Sequence, residues 1–546
     1  MALSKATAEP ASFAIAVVSP SVSKGTHPMA HLITVHPNSY KDSVRLLQTT
    51  RTVLAASGVE WGCALMATPA NIVTLAREGF TTGLDKAGIN DLVIAVRAAE
   101  EESAAAAIAT AAETLFGAVA GEVTEEKQVT PDLRAALQEN PATNIAVISV
   151  PGQYAALEAQ KALSAGLHVL LFSDNVPLED EIALKQRARS LGLLVMGPGA
   201  GTAMLGSTGL AFANRVGAGP VGIVAAAGTG AQEVMSLLDR WGVGVSHVIG
   251  LGGRDLSPEV GGLMAESALR ALDADEATRT ILLVSKVPSP EVAEKLLSVP
   301  KKPLVASLIG LRKPLAAPAN VIVADTLEQG AARTLEVLGV DRPDVAGNLA
   351  NDLANVVTTL APSRTRLIGL FSGGTLCYEA MNIAIGHIGP IHSNTPLDDR
   401  WTIEAAGAHA HVCLDLGEEQ YTNGRPHPMI DAEARSSYLR DQARDPTVAA
   451  VLLDVVIGDG AHPDPASVLA PVAAEVVRSG AAVVVYVLGT ARDPQGHQAQ
   501  QEAFQKAGCI VTATAARAAL AAAALVLRDP ALVLTELRAS LAVMAA

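Results

Sequence analysis

Two glycine-rich turns are the parts of this sequence most suited to chemistry. They are the stretches Gly228-Thr229-Gly230 and Ser372-Gly373-Gly374-Thr375. Each follows an apolar run typical of a buried strand and leads into a helical pattern. Glycine lets a ligand approach the backbone closely, and the first N–H groups of a helix have no partner within it. Each turn therefore predicts a phosphate site, although a plain tight turn with nothing bound explains a single loop equally well.

The two turns occupy matching positions in a duplicated unit. In each copy an apolar strand, a turn of small residues and a helix are followed by three further strands separated by helices. Internal repetition of this kind favours a shared function for the turns. If the copies pack about a pseudo-two-fold axis, we expect both helix ends to face one phosphate.

Three polar side chains are candidates for catalysis. Arg425 and His427 lie in a loop with two prolines, and Asp454 lies in an otherwise apolar strand. Arginine binds phosphate or carboxylate through paired hydrogen bonds, and histidine exchanges protons near neutral pH. A buried carboxylate needs a partner, so we expect Asp454 to orient Arg425 or His427. A solvated connecting loop is the alternative for the latter two residues.

Two further groups are candidates for binding substrate. They are Gly252, Gly253 and Arg254 in one loop and Asn38, Ser39 and Lys41 in another. Arg254 and the adjacent Asp255 follow a glycine-rich strand end, where they either face a ligand or cap a helix. No metal site is predicted, because His409 and His411 lack a third ligand at a suitable spacing.

The elements that carry these residues alternate between β-branched strands and helices rich in Ala and Leu. This alternation predicts an α/β fold with parallel sheets. We predict a poorly ordered leader at 1–30, an N-terminal α/β domain at 31–116 and a Rossmann-like domain at 131–215. Two similar domains follow at 216–345 and 366–546.

Composition excludes several classes of partner. The formal net charge of −15 repels a nucleic-acid backbone, and an aromatic content of 3% leaves few platforms for base stacking. The four cysteines have no C-x-x-C spacing, which favours a reduced cytoplasmic protein. No apolar run approaches the length of a membrane span. We therefore predict a cytoplasmic protein that binds neither nucleic acid nor membrane.

Longer motifs resemble known proteins. The stretches 228–233 and 250–253 resemble the succinyl-CoA synthetase α subunit, and 150–152, 174–177 and 196–198 resemble the second half of its CoA-binding domain. Irregular motifs similar to those of FdrA proteins follow in the same order at 172–182, 250–256, 372–376, 424–431 and 452–458. The chain is identified on these motifs as a member of the FdrA family over roughly residues 31–530.

The resemblance implies a Rossmann-like CoA-binding unit followed by two flavodoxin-like ligase domains. In the synthetases two helix N-termini hold a phosphohistidine, and an ATP-grasp domain supplies the phosphoryl group. Here the corresponding loop, 308–320, contains no histidine, and no segment resembles an ATP-grasp domain. Gly199 and Ala200 also stand where relatives usually carry an acidic or amide residue and a cysteine.

The two predicted anion sites without a phosphohistidine, and the association of FdrA proteins with oxamate-type carbamoyltransferases, favour a transferase over an acid–thiol ligase. The expected substrates are carbamoyl phosphate, or a similar small phosphorylated compound, and a small carboxylate or amide. An acyl-CoA synthetase working with a separate ATP-grasp subunit, and a non-enzymatic metabolite-binding scaffold, are the alternatives. No cofactor is predicted from the residues, and CoA is implied by the resemblance alone. We expect companion subunits and an oligomer.

Overall fold

The computed structural model describes residues 13–17, 29–39, 41, 43–84, 87–116, 132–311, 313–422 and 426–536. The strands in chain order are β1 Phe13–Val17, β2 Ala30–His36, β3 Val59–Met66, β4 Leu92–Ala98, β5 Ile145–Ile148, β6 His168–Leu171, β7 Val195–Met196, β8 Thr202–Leu205, β9 Thr208–Ala211, β10 Ala218–Ala226, β11 Val245–Gly250, β12 Thr280–Lys286, β13 Leu304–Ile309, β14 Val321–Ala324, β15 Arg366–Phe371, β16 Ile391–Ser393, β17 His411–Asp415, β18 Val448–Val456, β19 Ala482–Leu488 and β20 Ile510–Thr512.

The α-helices in chain order are α1 Ser43–Leu54, α2 Pro69–Arg77, α3 Glu101–Phe116, α4 Leu133–Glu139, α5 Gly152–Ser164, α6 Leu178–Leu191, α7 Gly228–Arg240, α8 Leu263–Ala274, α9 Pro290–Leu297, α10 Leu327–Leu338, α11 Leu349–Thr359, α12 Gly374–Ile388, α13 Glu419–Thr422, α14 Glu433–Gln442, α15 Pro465–Arg478, α16 His497–Lys506 and α17 Ala515–Leu527. The chain forms two compact units. Unit 1 comprises 1–129 and 417–431, and unit 2 comprises 130–416 and 432–546.

Unit 1 contains a four-stranded antiparallel sheet in the order β1-β2-β4-β3. Successive residues of β4 face opposite sides, as the two-residue period of a strand requires. Ile94 and Val96 belong to one core with α1 and α3, and Val93 belongs to a second core with Leu75 of α2. Within the segment 1–30, where a poorly ordered leader is predicted, β1 pairs with β2, and residues 1–12 and 18–28 lie outside the described ranges, so that prediction stays a prediction.

The described part of unit 2 contains three sheets. β5, β6 and β7 form a small parallel sheet. A seven-stranded sheet has the order β14-β13-β12-β10-β11-β8-β9, and a six-stranded parallel sheet has the order β16-β17-β15-β18-β19-β20. The hairpin of β8 and β9, which the sequence boundaries place in the domain at 131–215, pairs through β8 with β11 of the next sheet.

The predicted fold class is confirmed, and the two large sheets repeat one topology. The order β11-β10-β12-β13-β14 in one sheet matches β17-β15-β18-β19-β20 in the other. Every residue of β18 is buried, because helices cover both faces of a parallel sheet. α7 begins after β10 as α12 begins after β15, so the two glycine-rich turns occupy equivalent places.

Candidate functional site

The two helices that follow the glycine-rich turns begin without side-chain caps. The first helical hydrogen bonds run from Ala231 N to Ala227 O in α7 and from Cys377 N to Gly373 O in α12. The three amides before each of these bonds donate to no acceptor within the described part of the chain: Gly228, Thr229, Gly230, Gly374, Thr375 and Leu376. Six N–H groups and the positive ends of two helix dipoles are thus available to an anion.

The two turns contact each other. A Cβ added at Gly373 would lie 2.5 Å from Cγ2 and 2.7 Å from Oγ1 of Thr229. A Cβ added at Gly230 would lie 3.0 Å from Cγ2 of Thr375. Thr229 is only 5% exposed, and its Oγ1 has no hydrogen-bond partner among the described residues. The helix ends therefore meet at one place, which also holds a buried hydroxyl able to bind a ligand.

Asp454 holds the turn at Ser372 and Gly373 through hydrogen bonds. Its carboxylate accepts hydrogen bonds from Ser372 N at 2.7 Å, Ser372 Oγ at 3.0 Å and Gly373 N at 2.9 Å. Arg435 of α14 donates to the same carboxylate at 2.8 Å. Burial raises the pKa of Asp454, and Arg435 and the turn amides oppose this rise. Because Ser372 and Gly373 donate to Asp454, their amides are occupied, unlike those of Gly374 and Thr375.

Two charged side chains flank the start of α12. Lys286 is the last residue of β12, and its Nζ would lie 3.3 Å from a Cβ at Gly374. Asp415 is the last residue of β17, and its Oδ2 would overlap with the same Cβ. An alanine at 374 would therefore force the Asp415 side chain to move. Neither Lys286 nor Asp415 has a local sequence pattern that marks it, because strand order alone brings each to this edge.

The glycine loop after β11 lies beside the small parallel sheet. A Cβ at Gly252, whose φ is +78°, would overlap with the carbonyl oxygen of Pro198. Arg254 donates to Glu181 Oε2 at 2.8 Å and to the carbonyl oxygen of Val176 at 2.8 Å, so it faces α6. Gly253 has open space beside its Cα.

Asp255 has the helix-capping role that the sequence left as one of two options. It accepts from Ala265 N of α8 at 2.8 Å and pairs with Lys185 at 2.8 Å. Lys185 is fully buried and also pairs with Glu181 at 2.7 Å. This network ties α6 to the loop after β11 of the seven-stranded sheet, and no sequence motif marks Lys185.

The candidates in unit 1 do not form a comparable cluster. Asn38 N donates to Asp91 Oδ1 at 2.9 Å, and Ser39 Oγ donates to the carbonyl oxygen of Pro37 at 3.1 Å. The ammonium of Lys41 lies 4.9 Å from the ring centre of Phe116. The side chains of Ser39 and Lys41 and the backbone amide of Asn38 thus have partners within the chain.

The residues predicted for catalysis are divided between the units. Arg425 lies outside the described residues. His427 belongs to unit 1, where its Nδ1 accepts from Met429 N at 3.2 Å. Asp454 belongs to unit 2 and holds the turn at Gly373. Orientation of Arg425 or His427 by Asp454 therefore stays a prediction.

Each of the two helices, α7 and α12, carries a buried glutamate at an equivalent position. Glu233 accepts from Ala515 N at the start of α17, and Glu379 accepts from Leu327 N at the start of α10. Tyr486 also donates to Glu233 at 2.6 Å. Burial raises the pKa of Glu233 to about 7 and that of Glu379 to about 8. Both glutamates follow the first glycine of their helix by five positions, a repeat signal that the sequence analysis missed.

Comparisons with known proteins place this site in context. A CoA-ligase family model matches residues 370–525, and a model described as "AllF, heavy metal-associated domain" matches residues 29–131. The chain is 36% identical over 510 residues to the uncharacterised protein YahF of Escherichia coli, a match covering 90% of this chain and 98% of YahF.

Two more relatives are named ligase subunits. Subunit alpha 2 of the ADP-forming succinate–CoA ligase of Archaeoglobus fulgidus is 30% identical over 177 residues, which cover 31% of this chain and 60% of that subunit. The ADP-forming sulfoacetate-CoA ligase subunit SauD of Bilophila wadsworthia is 28% identical over 216 residues, covering 37% of this chain and 72% of that subunit. The chain thus contains a CoA-ligase domain of the succinyl-CoA-synthetase-like kind.

These relatives correct one prediction. The expectation of a transferase is wrong, because the named relatives are CoA ligases and the matching family model is a CoA ligase. The missing histidine in the loop 308–320 bears on how a phosphoryl group would be relayed. The missing histidine does not identify the group that accepts the acyl moiety. The transferase prediction is wrong because it infers the acceptor from that absence.

The N-terminal match, whose description names heavy metals, contains one cysteine, Cys63. No group of three His, Cys, Asp or Glu side chains that could hold a metal ion occurs in the described ranges. Cys63 lies within β3, where it pairs with Ala95 of β4. Thiophilic metals need thiolate or imidazole ligands in a cluster.

Among the described helices, none is long and apolar enough to cross a membrane.

Proposed function

The chain belongs to the family that includes YahF, and we propose that it is a subunit of an acid–thiol ligase that forms acyl-CoA. The observation that carries this proposal is the meeting of the α7 and α12 N-termini, with six unused amides around Thr229. We infer that this site holds the phosphoryl group of an acyl phosphate. Membership of the FdrA family, which the motifs indicate, is part of the same proposal.

The proposed reaction transfers an acyl group from phosphate to the thiol of CoA. The thiol sulfur attacks the acyl carbon, the bond between that carbon and the bridging oxygen breaks, and a thioester and inorganic phosphate result. The thiol proton ends on the phosphate. Negative charge grows on the bridging oxygen as the bond breaks, and helix N-termini favour charge at that position. The amides of Gly228 and Gly374 are fixed before the reaction, so they need little reorganisation.

The neighbouring small sheet supports a place for CoA. The backbone at Pro198, which follows β7, packs on Gly252, and the backbone at Thr202 packs on Gly250. Leu251 N donates to Ala225 O of β10 at 2.8 Å, immediately before the α7 turn. CoA held at the carboxyl ends of β5, β6 and β7 would thus have its thiol next to the phosphoryl site. A separate nucleotide-binding subunit would make the acyl phosphate from the acid and ATP.

The half-reaction provides a test that needs no partner subunit. The purified full chain is incubated with acetyl phosphate or succinyl phosphate, with and without CoA, and thioester and phosphate are both quantified. We expect thioester and phosphate in equal amounts, and only when CoA is present. Phosphate release that does not depend on CoA, without thioester, would refute the ligase proposal. Thr229→Val, which replaces the buried hydroxyl by a methyl group, should slow the reaction roughly tenfold or more.

A further inference from the structure

Lys286 brings the charge of a full ammonium group to the meeting point of the two helices. It ends β12 in the first copy of the repeat, yet its Nζ lies beside Gly374, which begins α12 in the second copy. The Lys286 side chain is half-buried. An ammonium group offers three donors and one full charge, whereas a helix end carries about half a charge.

The second copy has no equivalent cation. Gly228 corresponds to Gly374, so Val224 of β10 corresponds to Leu370 of β15. These residues pair with Leu283 and Leu453 respectively. Three residues further along, Lys286 therefore corresponds to Val456, which is 3% exposed. The amides of the two turns thus come from equivalent positions of the two copies, but the ammonium group belongs to one copy only.

The space around the turns is also unequal. A Cβ at Gly228 would meet nothing within 4 Å, which leaves open space beside the α7 end. At the α12 end, Lys286 and the buried carboxylate of Asp415 flank Gly374. There the ammonium of Lys286 offsets the charge of the Asp415 carboxylate, so phosphoryl oxygens that face the α12 amides meet a cation beside that carboxylate.

We propose that Lys286 binds the phosphoryl group directly and orients the acyl phosphate, with its terminal oxygens towards α12 and its acyl group towards the open side at Gly228. This assignment rests on the proposed function, because it uses the same anion site. The buried, unpartnered hydroxyl of Thr229 lies between the two ends and is the second group that points to a bound anion. The preferred ligand is thus a dianionic phosphoryl group whose acyl substituent leaves on the α7 side.

Calorimetric titration of the full chain with inorganic phosphate tests this assignment. Four proteins are compared: the wild type, Lys286→Met, Lys286→Arg and Lys506→Met. Lys506 is 80% exposed on α16 and serves as a control for the loss of one positive charge. We expect Lys286→Met to weaken phosphate binding at least tenfold, Lys286→Arg to stay within about threefold of the wild type and Lys506→Met to bind normally.

The outcomes separate this assignment from the proposed function. If the wild type binds phosphate and Lys286→Met binds equally well, the assignment of Lys286 is wrong while the anion site stands. If the wild type itself binds no phosphate, the anion site and the assignment both fail. Lys286→Gln provides a second neutral variant if Lys286→Met does not fold, and its affinity is judged by the same tenfold criterion.

Discussion

Gly373→Ala should separate the two helix ends without changing any charge. The new Cβ would lie 2.5 Å from Cγ2 of Thr229, whereas carbon atoms in contact are normally about 3.5–4.0 Å apart. One turn must therefore move by about 1 Å, and overpacking of this kind costs about 1–3 kcal/mol. Gly373 has φ −119° and ψ 112°, which alanine adopts freely, so the loss would come from the contact with Thr229.

A smaller, stabilising contribution from the unfolded chain opposes this cost of overpacking. Alanine restricts the unfolded chain and gives back about 0.4–1 kcal/mol. We therefore expect a net loss of about 1–2 kcal/mol in the free energy of unfolding of unit 2. Because the same movement misaligns the amides of one helix end, phosphate should also bind roughly tenfold or more weakly.

Denaturant unfolding of the full chain measures the first effect. Trp241 and Trp401 report on unit 2 in a Trp61→Phe background, since Trp61 belongs to unit 1. Gly228→Ala is the matched control for stability, because its Cβ meets nothing within 4 Å, and it should be neutral or slightly stabilising. Adding Thr229→Ser to Gly373→Ala removes Cγ2 and should restore part of the loss. Equal effects of the two alanine substitutions would refute this account of the turns.

Three further predictions follow from other contacts. Asp454→Asn leaves Arg435 buried without its counter-charge and should cost about 3–5 kcal/mol in denaturant unfolding, while Asp454→Asn combined with Arg435→Met should recover part of that loss; additive effects would contradict the pairing. The pKa values of about 7 for Glu233 and about 8 for Glu379 are raised from 4.5, so both carboxyls favour the folded state at low pH, and this contribution is lost as pH rises through those values. The free energy of unfolding should therefore fall between about pH 4.5 and pH 8, and Glu379→Gln should make the fall shallower; an unchanged slope would count against burial as the cause. Metal analysis after equilibration with Zn²⁺ or Cu⁺ should find less than one ion per chain, because the described residues of the N-terminal match form no cluster of metal ligands. One tightly held ion per chain would contradict this expectation.

Local patterns predicted most of the fold and the position of the turns. Apolar runs mark β10 and β15, and the glycines that follow them mark the starts of α7 and α12. Asp454 is marked as a candidate because a carboxylate within an apolar strand needs partners. Local signals of this kind depend only on a few adjacent residues.

The remaining parts of the site depend on strand order and on packing between the copies. Lys286 and Asp415 reach Gly374 from different sheets, and Arg435 reaches Asp454 from α14, so no spacing in the sequence links them. Glu233 and Glu379 could have been found by aligning the two copies from Gly228 and Gly374. The transferase prediction failed because a missing histidine describes a step that the chain lacks and does not specify the acceptor.

The central claim is that two helix N-termini form one anion site. Its most direct test is a phosphate titration of the full chain labelled with ¹⁵N-glycine, observed through the amide signals of Gly228, Gly230 and Gly374. Our account predicts that all three signals shift together and saturate with one dissociation constant, while the signal of Gly166, in the turn between α5 and β6, does not move. A response from only one turn, or two different constants, would contradict a single shared site.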